Sequence, residues 1–273
     1  MLQPDAFTLE VFAYVLAVAA ERTGVLVHAI CVMANHYHAV VTDPFGRIAE
    51  FYHYLHEFTS KALNAKRGRW ENMWACTETS RVSLEDRAAV IDKITYTLTN
   101  PVSSHVLAHA RKWPGLRRWW NEGPLEVQRP SVFFRKNGPT PPTATLTLVP
   151  PPQLASEPDG GVALMTRTLS ERETWLRAEA RKKGRKYVGL KNIKAQKWWE
   201  SPTTFATRRG LSPRVATRDK WRRIEALARN KQFEADHAEA RKQWLAGDRL
   251  VLWPAGTYLM RVRHNVPCRP PPG

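Results

Sequence analysis

Residues 25–42 read V-L-V-H-A-I-C-V-M-A-N-H-Y-H-A-V-V-T. Residues 25–33 form one β-rich run and residues 36–42 a second. The Ala34-Asn35 step between them suits a tight turn, so the stretch predicts a β-hairpin. In a strand, residues i and i+2 face the same side, about 7 Å apart. His36 and His38 therefore project together, with Tyr37 facing away. A buried strand has no need of two imidazoles at its edge. Two neutral imidazoles on one face are a common start to a divalent metal site, although H-x-H alone is a weak signal.

Helices flank this hairpin. Upstream, residues 5–21 carry Phe7, Val11, Phe12, Val15 and Val18 at helical spacing, with Asp5 placed to cap the start and Gly24 to end the segment. Downstream, Asp43-Pro44-Phe45-Gly46 reads as a loop. Residues 47–66 read as an amphipathic helix with Phe51, Leu55, Phe58 and Ala62 on one side and a basic end, Lys66-Arg67-Gly68-Arg69. Residues 70–83 read as loop plus short strand. Ser83 with Asp86 predicts the start of another helix, running to Asn100 because Pro101 disfavours helical geometry in the residue before it. The fold class is α+β: an antiparallel sheet with helices packed on one side.

The chain has 273 residues, enough for a core and a second module. Its hydrophobic share of 43% excludes a wholly disordered chain. The net charge of +17 points to a polyanion partner. Residues 1–160 hold 16 Lys and Arg against 15 Asp and Glu, whereas residues 161–273 hold 26 against 10. Nearly all the excess lies in the C-terminal part, interleaved with Trp and Tyr. Residues 139–158 are Pro-rich and almost uncharged, which predicts an extended linker. The expected organisation is a domain over 1–130, a linker over 131–160 and a basic, mostly helical module over 161–273. In that module, 168–184 and 218–246 read as helices and 249–264 as a short strand.

Cys31, Cys76 and Cys268 are scattered without C-x-x-C, which suits a reducing cytoplasm and neither a disulfide framework nor a zinc ribbon. Gln3-Pro4-Asp5 precedes the first apolar stretch, unlike a signal peptide. No run of about 18 apolar residues predicts a membrane span.

Tyr96 and Asn100 are spaced i, i+4 on one face of the helix that starts after Ser83. Structurally, they suit a core edge and a helix cap. Taken with the histidines, Asn100 offers an oxygen as third ligand to a hard metal such as Mg²⁺, and Tyr96 a nucleophile one turn away. V-M-A-N-H-Y-H-A-V-V resembles the histidine–hydrophobic–histidine (HUH) signature of the single-tyrosine transposases. T-Y-T-L-T-N-P-V at 95–102 is similar to the tyrosine helix of their REP-associated branch. The likeness covers about residues 5–120, and two motifs in the right order are far more specific than one.

The resemblance implies a ferredoxin-like catalytic domain in a bacterial cytoplasmic protein that meets the nucleoid when on DNA. His36, His38 and Asn100 would ligate Mg²⁺ or Mn²⁺. Tyr96 would cleave single-stranded or hairpin DNA through a 5′-phosphotyrosine and pass it to a new strand. Lys66, Arg67, Arg69 and Lys93 are candidate DNA contacts. Both monomers and homodimers occur in the family. Ala34 stands where the family usually has Pro. Family domains begin with a strand and a basic loop, whereas this chain begins at the first helix, so the resemblance predicts a shortened sheet. Two other readings compete: a catalytically inactive, repurposed nucleic-acid-binding protein, and an unrelated metal-dependent hydrolase. The latter lacks the Asp and Glu ligands such sites generally use. His28, His53 and His56 read as structural or surface residues, and Trp113-Pro114-Gly115, Trp119 and Trp120 as packing.

Overall fold

The computed structural model describes residues 1–75, 79–134, 138, 140–200 and 213–271. Cys76 and Pro139, named above, lie outside the described residues. The first helix, α1 (Ala6–Thr23), starts where Asp5 Oδ1 accepts the Thr8 N–H at 2.7 Å. It ends at Gly24, whose φ of 72° is open to glycine at little cost. The predicted hairpin follows as β1 (Leu26–Val32) and β2 (Tyr37–Thr42), with Met33 N–H donating to the His36 carbonyl at 2.8 Å across Ala34-Asn35. Next come α2 (Ile48–Arg67), β3 (Ser83–Leu84) and α3 (Arg87–Ser103), then β4 (Arg117–Trp119), β5 (Leu125–Gln128) and β6 (Thr143–Leu146). The rest is α4 (Val162–Lys182), α5 (Leu190–Ala195), β7 (Val215–Ala216), α6 (Lys220–Leu245) and α7 (Leu259–His264). Among the described residues no helix is long and apolar enough to cross a membrane.

The central sheet is antiparallel, in the order β2-β1-β4. Helices cover both of its faces, not one as expected. The reason lies in β1, which is buried on both sides from Val27 to Val32 and so must be packed above and below. On one face, Val27, Ile30 and Val32 join α1 and α2, through Phe12, Leu16, Phe51 and Leu55. On the other, Ala29 of β1 and Val40 of β2 join Val90, Ile94 and Leu98 of α3, and Met165 and Leu169 of α4. The register of β1 shifts between Val27 and Ala29. His28, in that bulge, is 1% exposed, with Nδ1 2.8 Å from the Val149 carbonyl and Nε2 2.8 Å from Thr42 Oγ1. A carbonyl only accepts, so the ring proton sits on Nδ1. The structural reading of His28 therefore stands.

Three other expectations change. The Pro-rich stretch is extended but is not a free linker: β6 pairs with β5, Leu146 and Leu148 enter the main core, and Val149 N–H donates to the Val27 carbonyl at 3.0 Å. Alternating apolar residues (Ala144, Leu146, Leu148) let it form an edge strand despite its prolines. Helix α3 runs past Pro101 to Ser103, and its cap is Asp86, which accepts from Ala89 N–H at 2.7 Å, while Ser83 belongs to β3. Burial of Leu98, Asn100, Pro101 and Val102 outweighs the local preference to stop before proline. The predicted strand 249–264 is replaced by a single bridge between Trp253 and Cys268 and by α7, because Pro254 and Gly256 (φ 87°) interrupt any ladder. Helix α1, expected as a helix, is apolar almost all round and lies between α2 and the β5–β6 hairpin.

The basic segment is tied to the rest of the chain. β7 pairs in parallel with β3, Thr217 hydroxyl donates to Asp86, Arg229 pairs with Glu85, and Arg261 pairs with Glu50 at 3.0 Å. The first three contacts hold it against the start of α3, and the last against the first turn of α2.

Candidate functional site

The sheet register brings the two histidines and the tyrosine together. His36 closes the hairpin turn and His38 lies two residues on in β2, on the same face as Val40, which packs against α3. The His36 and His38 rings meet edge-to-face, with centroids 4.8 Å apart. Across the gap, the Tyr96 ring of α3 meets His38 with centroids 5.1 Å apart, again edge-to-face. Tyr96 faces outward from a helix whose neighbours Ile94 and Leu98 are fully buried. It remains 40% exposed. Lys93, one turn back, holds its Nζ 5.9 Å from the Tyr96 ring centroid and pairs with Asp92 at 3.2 Å.

The protonation of the imidazoles follows from their surroundings. His36 Nδ1 lies 2.6 Å from Asn35 Oδ1. An amide oxygen only accepts, so the proton is on Nδ1 and the Nε2 lone pair is left over. His38 Nε2 is buried with no hydrogen-bond partner, an exception that calls for a reason. Burial lowers the pKa of His36, and burial followed by the neighbouring His36 pushes His38 down to about 4. Both rings are neutral near pH 7, with unshared electron pairs suited to a divalent ion.

Asn100 is one turn beyond Tyr96 and 2% exposed. Its Oδ1 accepts from Ser104 Oγ at 3.1 Å, and its carbonyl from Ser104 N–H at 2.9 Å. Among the described residues no hydrogen bond links it to either imidazole, and no three His, Cys, Asp or Glu side chains converge as metal ligands. The site thus offers a two-imidazole nucleus with the tyrosine beside it. That donor set fits a borderline ion such as Mn²⁺ better than one demanding all-oxygen ligands, such as Mg²⁺.

Lys66, Arg67 and Arg69 gather elsewhere, at the C-terminal end of α2. Lys66 lies over the Phe7 ring, Arg67 donates to the Met1 carbonyl at 2.7 Å, and both Arg67 and Arg69 stack on Trp198. Arg69 also pairs with Glu71 at 2.8 Å. The same N-terminal strand of chain touches the hairpin turn, where Leu2 N–H donates to the Ala34 carbonyl at 2.6 Å. His56 Nε2 shares a hydrogen bond with the Tyr37 hydroxyl at 2.7 Å and stacks near Trp74, which is structural. Asn35 was missed as an orienting residue, although it sits inside the motif directly before His36. A groove beside Tyr96, lined in part by α4 and the 213–218 segment, was also missed, because those residues lie more than 70 positions away in sequence.

Comparison with protein families, curated proteins and solved structures finds no match to this chain.

Proposed function

We propose that this protein is a metal-assisted, single-tyrosine nuclease and strand transferase of the HUH type, acting on single-stranded DNA. The observation that carries this reading is the convergence of the His36–His38 pair of the hairpin with Tyr96 of α3, from two separate places in the chain, at ring-contact distance. Sequence likeness suggested that trio, and packing supports it independently. Tyr96 is the nucleophile: its oxygen attacks phosphorus, the P–O3′ bond breaks, and the tyrosine proton is released as the 3′ oxygen is protonated. One phosphate ester replaces another, so no nucleotide cofactor is consumed. His36 and His38 would hold a divalent ion, with Asn35 fixing the His36 tautomer. When bound, the ion supplies stabilisation of the charge that builds on the phosphate oxygens. The orphaned His38 Nε2 supports this assignment.

The test uses hairpin-forming single-stranded DNA with Mn²⁺ or Mg²⁺, scored for a denaturant-stable protein–DNA adduct. Wild type forms the adduct and Tyr96→Phe does not. No adduct with the wild type, or an equal adduct with Tyr96→Phe, overturns the proposal. A second reading, a catalytically silent nucleic-acid-binding protein of the same descent, is favoured by one observation: Asn100 Oδ1 is already engaged by Ser104. It predicts DNA binding unchanged by His36→Ala with His38→Ala, and no adduct under any metal.

A further inference from the structure

We infer that the groove beside Tyr96, built jointly by α3, α4 and the segment that leads into α6, is the track along which single-stranded DNA approaches the tyrosine. The inference rests on the proposed function for its end point, but the groove's chemistry stands on its own. The groove encloses about 1110 Å³. Its floor is the exposed side of α3, including Lys93 and Tyr96. One wall is α4, with Arg172 and Trp175, and the other holds Arg218 and Arg223.

Three features select a single strand. First, the position of the walls is fixed by burial and pairing. Met165 and Leu169 anchor α4 on Ile94 and Leu98, so Arg172 and Trp175 emerge within two turns of that contact. The opposite wall is pinned by the β3–β7 pair and by Thr217 to Asp86. Second, the groove's acidic residues are spoken for: Asp92 pairs with Lys93, Glu171 with Arg167, and Asp86 takes the Thr217 hydroxyl and the Ala89 N–H. Arg172 and Arg218, in contrast, have no acidic partner among the described residues. Third, Trp175 is 51% exposed, with the Arg172 guanidinium 4.4 Å from its ring centroid. An exposed indole backed by guanidinium is a platform for an unpaired base, and free cations beside it suit the following phosphates. A duplex keeps its bases stacked on each other and cannot use that platform.

The experiment uses the full chain carrying Tyr96→Phe, with chelator present, so that binding is read without chemistry. Anisotropy of a labelled oligo-dT of about twenty nucleotides is followed over a salt series. Trp175→Ala should weaken binding about ten-fold, and Trp175→Phe should retain most of it. Arg172→Ala with Arg218→Ala should lower the slope of log affinity against log salt by about 1.4, from about 0.7 per phosphate contact. These side chains lie at the surface, and an unchanged thermal transition confirms folding in each variant. Unaltered affinity and slope in the groove variants would overturn the inference, as would duplex DNA or oligo-rU competing as well as oligo-dT. The two proposals fail separately. Loss of binding in groove variants with no adduct in the wild type leaves the groove and removes the tyrosine chemistry. An adduct with unimpaired groove variants does the reverse.

Discussion

Acidification tests the site at its centre, because the folded protein holds His38 neutral far below the usual range. With its pKa pushed from 6.5 to about 4, the ring is about one-tenth protonated at pH 5, whereas in the unfolded chain it is about 97% protonated. The sign follows directly. The folded pKa is the lower one, so unfolding takes up a proton between the two values. Stability from this group is complete above pH 6.5 and is lost as pH falls from there towards about 4. At pH 5 the uptake is about 0.9 proton, which sets an upper slope of roughly 1.2 kcal/mol per pH unit; solvent reaching the partly enclosed ring reduces it. His56, also pushed down to about 4, and His28 and His36, both lowered by burial, add in the same direction. Histidine NMR should place the His38 transition near pH 4. Urea unfolding at pH 7, 6 and 5 should show a shallower pH dependence for His38→Gln than for wild type. A His38 transition near pH 6.5, or an identical pH slope in the variant, would refute the reasoning.

Two further substitutions probe features that the sequence obscured. Leu146→Ala, at a residue 1% exposed in the main core, should cost about 2–5 kcal/mol in urea unfolding; a change within about 0.5 kcal/mol would mean that the Pro-rich stretch does not pack. Asn35→Ala removes the acceptor at His36 Nδ1 and should weaken Mn²⁺ binding by about 10–100-fold in calorimetry, and unchanged affinity would deny Asn35 its orienting role.

Local signals were legible wherever the free energy is local. The hairpin, its Ala34-Asn35 turn, the Asp5 cap and Gly24 stop of α1, and the body of α2 all follow from periodicity, capping and backbone preference within a few residues. The His36–His38 pair was legible for the same reason, since i and i+2 share a strand face. Where a preference is weak and a distant partner is strong, the local reading gave way. Pro101 did not stop α3, because buried neighbours on both sides of it hold the helix. The prolines of 139–158 did not keep β6 from pairing, because Leu146 and Leu148 gain a place against α1.

The sequence by itself determined an α+β chain with two imidazoles on one strand face, a tyrosine on a helix, and a basic C-terminal third. Only the tertiary structure decided that Tyr96 lies over His38, that β4 completes the sheet on the far edge of β1, and that Trp175 and Arg172 share a groove with the tyrosine. The physical reason is that side-chain periodicity fixes which way a residue faces along its own element, whereas proximity between elements is set by burial shared among residues far apart. Ile94 and Leu98 dock α3 on Ala29 and Val40, Met165 and Leu169 dock α4 on α3, and the site is what those two dockings leave at the surface.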